Sequence, residues 1–157
     1  MLREPAELNY QVNWVNYALT IEQLTTPDAT VCVLAAGVIP YYTGRPAIDF
    51  LGKADPRIAR LDPYLSGATK KTYPEIIYNP GHNKYDLEYS IKELRPTYVQ
   101  QFSWSAQDIL DWAQSEYVMV VYKGVPVNLL EGSEDVHWDD IEAALEAGEA
   151  TLGAPGW

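Results

Sequence analysis

Val31-Cys32-Val33-Leu34, running on into Ala35-Ala36-Gly37-Val38-Ile39-Pro40-Tyr41-Tyr42-Thr43-Gly44-Arg45-Pro46-Ala47-Ile48-Asp49-Phe50-Leu51-Gly52, is the stretch on which the fold turns. Its first four residues are continuously apolar with β-branched content, the pattern of a central strand covered on both faces. The run then breaks into a Gly/Pro loop that carries two tyrosines. A second short strand, over residues 47–51, carries Asp49. Open α/β sheets place ligands just beyond the carboxyl ends of such strands.

Working outward, apolar residues at helical spacing over residues 6–25 (Leu8, Val12, Val15, Leu19, Leu24, with Trp14, Tyr17 and Ile21) predict a helix that Thr25-Thr26-Pro27-Asp28 ends. The first strand covers residues 30–36. Asp55-Pro56 offers an N-cap followed by proline at the first helical position, opening a short helix through Leu61. Residues 62–86 read as a long irregular loop, a kind that is usually functional or mobile inside a compact domain. A short helix over residues 85–94 and a strand over 97–102 follow. Ser105 caps a helix over 106–116. Residues 117–122 and 125–130 form a hairpin around Lys123-Gly124, and 138–149 form a last helix. This order predicts an α/β fold: a layered, mostly parallel sheet, Rossmann-like or flavodoxin-like, with an antiparallel hairpin at one edge. Residues 1–150 read as a single domain and 151–157 as a flexible tail.

The chain has 157 residues, 47% of them hydrophobic and 21% charged, enough for one well-filled core. Its net charge of −11 argues against nucleic acid and anionic lipid as partners. Residues 131–150 hold Glu131, Glu134, Asp135, Asp139, Asp140, Glu142, Glu146 and Glu149 and no Lys or Arg. They read as a solvated helix face or as a patch for a basic partner or divalent cation. Tyrosine dominates the aromatics (Tyr 12, Trp 5, Phe 2), a bias that suits wet surfaces and sugar contacts. Cys32 is the one cysteine, so no disulfide closes within the chain, and its place between valines suits a small buried hydrophobe rather than a catalytic thiol. No apolar run approaches the roughly 20 residues of a spanning helix. The polar start, Met1 to Tyr10, does not read as a signal peptide, and it opens close to a helix rather than at a natural domain beginning.

No glycine-rich phosphate loop, GxGxxG, GxSxG elbow or metal-spaced histidine pair occurs; the histidines are His82 and His137. Three places are candidates for chemistry. Tyr41, Tyr42, Thr43 and Arg45 lie beyond the first strand, where rings stack on sugar faces and a guanidinium clasps phosphate or carboxylate. The competing reading is a turn whose tyrosines pack on a helix. Asp49 ends the second strand, where nucleotide folds often hold a ribose hydroxyl. Its other reading is a cap, or a salt bridge to Arg45 or Arg57. The loop Asn79-Pro80-Gly81-His82-Asn83-Lys84-Tyr85-Asp86 groups an imidazole, an amine and a carboxylate, or simply faces solvent.

The string "VLAAGVIPYYTGRPAIDFLG", Val33 to Gly52, resembles the segment just after the membrane region of bacterial polytopic glycosyltransferases of the GT-C fold, the arabinofuranosyltransferase-like and mannosyltransferase-like proteins. Their extracytoplasmic C-terminal parts run from a strand through an Ala-Gly turn and a tyrosine pair to an Ile-Asp-x-x-Gly step and a small helix. Asp55-Pro56-Arg57-Ile58-Ala59 fits that helix, Gly81-His82-x-Lys84 a later loop, and Arg95-Pro96-Thr97-Tyr98-Val99 a following strand. The likeness covers residues 30–102. It implies a fragment of a larger membrane protein that uses a polyprenyl-phosphate sugar donor, with this domain at the cell membrane on the extracytoplasmic side. Its implied partners are an acceptor, a glycan or lipid-linked, and the membrane-spanning region of the same polypeptide. The catalytic carboxylate of such enzymes lies in an early loop outside this sequence, so no catalytic residue, metal or cofactor is expected here. The candidate substrate-binding residues are Tyr41, Tyr42, Arg45, Asp49, His82 and Lys84. Two other classes compete: a freestanding α/β enzyme or binding module for a sugar or nucleotide, working through Asp49 and His82, and a protein-interaction domain using the acidic segment.

Overall fold

The computed structural model describes residues 8–63, 83–102 and 107–155, with side chains from residue 13. Helix α1 (Leu8–Leu24) leads into strand β1 (Val31–Val33), and helix α2 (Val38–Thr43) links it to β2 (Ala47–Asp49). A one-turn helix α3 (Pro56–Ala59) and a π-helical turn (Glu88–Glu93) precede β3 (Tyr98–Val99). Then come α4 (Gln107–Glu116), β4 (Tyr117–Tyr122), β5 (Val125–Leu130), α5 (Trp138–Glu146) and β6 (Ala150–Gly153). The six strands form one mixed sheet in the order β2-β1-β3-β5-β4-β6. No helix among the described residues is long and apolar enough to cross a membrane.

The pairings correct the expectation of a mostly parallel sheet. β1 pairs with β2 and β3 in parallel, but β3–β5, β5–β4 and β4–β6 are antiparallel. The helix-linked strands β1 to β4 do all point the same way, as connections through helices favour. The hairpin changes the count: β5 folds back between β3 and β4 instead of lying at an edge. The edge is β6, formed from residues that read as the start of a flexible tail; Thr151 and Leu152 face Val121 and Val120 of β4.

Alternation along β1 distributes two cores. Val31 and Val33 join Ala18, Ile21 and Leu24 of α1, Ile39 of α2 and Ile141 and Ala144 of α5 on one face. Cys32 points to the other, with Phe50, Leu51, Leu87 and Ile91, and with Ile109 and Ala113 of α4. The α1 stripe is therefore rotated from the one its spacing suggests: Ala18-Ile21-Leu24 is buried while Leu19 is half exposed. Burial, with Asp49 nearby, raises the Cys32 thiol well above its ordinary pKa, which suits a core residue and not a nucleophile.

The segment read as a Gly/Pro loop contains a helix. Pro40 is third in α2, inside the first turn, where a missing N–H breaks no helical bond. Gly44, at φ +62°, closes α2 in the left-handed conformation, its N–H donating to the Pro40 carbonyl at 2.9 Å. Gly52 is more tightly constrained. It sits at φ +70°, and a Cβ there would lie 2.5 Å from Ile58 Cγ2 and 2.9 Å from the Ala59 nitrogen. Gly52→Ala is thus expected to cost about 3 kcal/mol, from left-handed strain plus overpacking against α3. Urea unfolding of the variant checks it; an unchanged midpoint would show that α3 moves aside freely.

Candidate functional site

The carboxyl ends of β1, β2 and β3 lie at one end of the sheet. The chain leaves β1 through α2 on the α1 face and leaves β3 toward α4 on the opposite face. The crevice between these two strands is the topological switch point, the favoured ligand position of an open α/β sheet. Gln100, just past β3, spans it: its Oε1 accepts from the Leu34 N–H at 2.8 Å and the Ala35 N–H at 3.5 Å. Gln100 ties the loop after β1 to the strand beside it. Sequence reasoning passed over this residue because nothing in its neighbourhood marks it.

Arg45 is buried, and its guanidinium serves the fold. Nε donates to the Thr26 carbonyl at 3.0 Å and Nη1 to the Thr43 carbonyl at 3.1 Å. Nη2 donates to the Thr25 and Glu22 carbonyls at 2.6 and 3.2 Å. The end of a helix leaves its last carbonyls without intrahelical partners, and a cation there also meets the negative end of the helix dipole. Burial lowers the Arg45 pKa, with Glu22 acting against the shift. An Arg45 held this way clasps the end of α1, with these donors turned to backbone carbonyls.

Asp49 is likewise structural. It is buried; Oδ1 accepts from the Leu51 N–H at 3.1 Å and Oδ2 from the Ala54 N–H at 2.7 Å. Both oxygens turn the chain toward α3, where Asp55 Oδ1 caps the Arg57 and Ile58 N–H groups at 2.8 and 3.0 Å. Asp49 thus shapes the turn after β2, with both of its oxygens accepting backbone N–H groups there. Arg57 lies 3.8 Å over the Tyr89 ring and pairs with Glu93 at 3.2 Å and Asp86 at 3.6 Å.

The third candidate group divides. Lys84 Nζ donates to the Ala59 carbonyl at 2.7 Å, fastening its loop to α3. Asp86 Oδ1 accepts from the Tyr89 N–H at 3.0 Å at the start of the π-helical turn. His82, with Asn79, Pro80 and Gly81, lies outside the described residues, as does Ser105.

Tyr41 and Tyr42 are the candidates that face solvent. They are 81% and 51% exposed and meet edge to face, with centroids 5.3 Å apart and planes at 84°. They stand on α2 rather than at the strand end. In this edge-to-face packing one ring turns its edge to the face of the other, and the remaining ring surface stands in water.

A separate cleft escaped sequence reasoning. Asn13, Asn16 and Tyr17 of α1 face Lys123, Gly124, Val125 and Pro126 of the β4–β5 turn across a space of about 370 Å³. The signal lay in Asn13-x-x-Asn16-Tyr17, one helix face, but nothing local pairs it with a hairpin a hundred residues on.

Fold and site together define a mixed α/β domain with an open six-stranded sheet, in which Arg45, Asp49 and Gln100 tie down loops beside the strands. The chain belongs to the family described as "Domain of unknown function (DUF8728)", which matches residues 3–136. No curated protein and no solved structure matches it.

Proposed function

We propose that this chain is the soluble extracytoplasmic C-terminal domain of a polytopic membrane glycosyltransferase that uses a polyprenyl-phosphate sugar donor. It stands at the cell membrane, braces the membrane-spanning part and offers Tyr41 and Tyr42 to the acceptor glycan. One observation carries the reading beside the resemblance of residues 30–102. The motif residues Gly44, Arg45, Asp49, Gly52 and Asp55 all hold the α2–β2–α3 segment in shape, and that segment presents an exposed ring pair. Recognition and bracing need a rigid surface; bond-making needs free acids and bases. The alternative, a freestanding enzyme or binding module working through Asp49 and His82, demands Asp49 oxygens that already accept two backbone N–H groups.

Two measurements test it. An antibody to this domain should detect, in source cells, a band far larger than 17.7 kDa in the membrane pellet; a soluble band of that size sinks the proposal. Titration with arabino- and manno-oligosaccharides should perturb the Tyr41 and Tyr42 resonances. The Tyr41→Ala/Tyr42→Ala variant should bind about tenfold more weakly, since two stacked rings contribute about 1–3 kcal/mol. Because both rings are exposed, its melting temperature should move by less than about 2 °C. Unchanged affinity in that variant would remove the tyrosines from any glycan contact.

A further inference from the structure

We propose that the cleft between α1 and the β4–β5 turn is a second ligand site, and that it takes a neutral, hydroxyl-rich ligand: a single saccharide unit. The inference stands on the cleft's own chemistry and holds whether or not Tyr41 and Tyr42 meet a glycan.

Asn13, Asn16 and Tyr17 occupy positions i, i+3 and i+4 of α1, so their side chains share one face. Asparagine is a poor residue for a helix interior, since its side chain competes for the backbone. Here two of them stand well inside a 17-residue helix, away from either cap. Both side chains are exposed, and among the described residues neither carboxamide has a hydrogen-bond partner, so both are open to a ligand. Each carboxamide offers donors and an acceptor, which is what a vicinal diol requires.

The other groups agree. Burial raises the pKa of the Tyr17 phenol, so it stays protonated and both donates and accepts. Val125 and Pro126 supply an apolar wall for the C–H face of a sugar ring. Among the described residues Lys123 is the one charged residue of the lining, and its Nζ is paired with Glu149 at 3.1 Å and lies 5.1 Å from the Tyr122 ring centroid. Among the described residues the lining therefore holds no unpaired charge, and a chain of net charge −11 does not attract anions. At about 370 Å³ it falls at the small end of ligand pockets, the size for one ring rather than an extended chain.

The test is a titration of the isotope-labelled full chain with methyl α-mannopyranoside and methyl α-arabinofuranoside, with glucuronate and glucosamine as charged probes, each to about 10 mM. The expected result is saturable shifts at the Asn13 and Asn16 side-chain amides and the Gly124 backbone amide, stronger for a neutral probe than for a charged one. Asn13→Ala/Asn16→Ala should abolish the saturable shift at the Gly124 backbone amide, the probe that remains in the variant. Alanine is the better helix former, so misfolding cannot explain that loss. Shifts confined to Tyr41 and Tyr42, shifts that survive the double variant, tighter binding of a charged probe, or no shift at all would each overturn the proposal. The Tyr41→Ala/Tyr42→Ala chain, run in parallel, should keep the cleft shifts, which separates this site's failure from that of the tyrosine platform.

Discussion

Arg45→Met should unfold at a melting temperature about 10 °C below that of the parent chain. Methionine matches the arginine stem in length and apolar character, so packing changes little. What disappears is the four-carbonyl clasp on Glu22, Thr25, Thr26 and Thr43. A hydrogen bond from a charged donor contributes about 1.5–3 kcal/mol, and carbonyls left buried without a donor add their own desolvation cost. Taken non-additively, the loss is about 4 kcal/mol, near the top of what single substitutions do. At this chain length each kcal/mol moves the melting temperature by about 2–4 °C. Arg45→Lys should recover less than half, because a single ammonium cannot reproduce a planar fork that reaches four oxygens. Thermal melts of the three proteins decide the matter. If Arg45→Met melts with the parent, the guanidinium is not needed to hold α1, and its return to the list of ligand-binding groups would follow.

Arg45 also shows where the sequence is legible and where it is not. Strand direction could be read from local pattern. β1 to β4 all run the same way because helices connect them, and the hairpin is announced by Lys123-Gly124. Both residues take positive φ, +47° and +84°, the geometry that matches a tight turn to strand twist. Pairing order could not be read. Nothing in Val125 to Leu130 says that it inserts beside β3, where Asn128 donates to the Val99 carbonyl at 3.1 Å, rather than hanging at an edge. Helix α2 was hidden by Pro40, a breaker everywhere but the first turn, and β6 by its brevity and the Gly/Pro end that follows. The site divides in the same way. Exposed Tyr41 and Tyr42 stand in a motif that marks them. Arg45 and Asp49 read as ligand groups because charged residues in Gly/Pro loops usually face water, and only tertiary contacts reveal carbonyls and N–H groups waiting for them. The cleft pairs residues 13–17 with 123–126, a separation no local pattern spans.

A chain ending at His137 should lose cooperative unfolding altogether and enter aggregates that bind thioflavin T. The family match stops at residue 136, which invites the view that α5 and β6 are an appendage. The packing says otherwise. Ile141 and Ala144 of α5 and Ala150 of β6 are buried in the same core as Val31, Val33, Tyr98 and Val120, with Trp138 and Leu145 packed against it. Their removal uncovers apolar surface worth about 5 kcal/mol, comparable with the whole stability of an ordinary domain. It also strips β4 of its partner across Met119, Val120, Val121 and Tyr122. The strand so exposed reads Tyr117-Val118-Met119-Val120-Val121-Tyr122, uncharged, β-branched and free of proline, the composition that recruits further strands. In the intact chain β6 covers that edge, and the acidic surface of α5 keeps the covering element in water: Asp139, Asp140, Glu142 and Glu146 lie on α5 while Ile141 and Ala144 turn inward. The acidic segment then acts first as a solubilising cover for a hazardous edge, and a basic partner is not needed to explain it. Size-exclusion chromatography and a thermal melt of the shortened chain test this directly. A cooperative melt at the parent temperature would show that residues 8–137 fold alone, and α5 with β6 would become free to serve a partner instead.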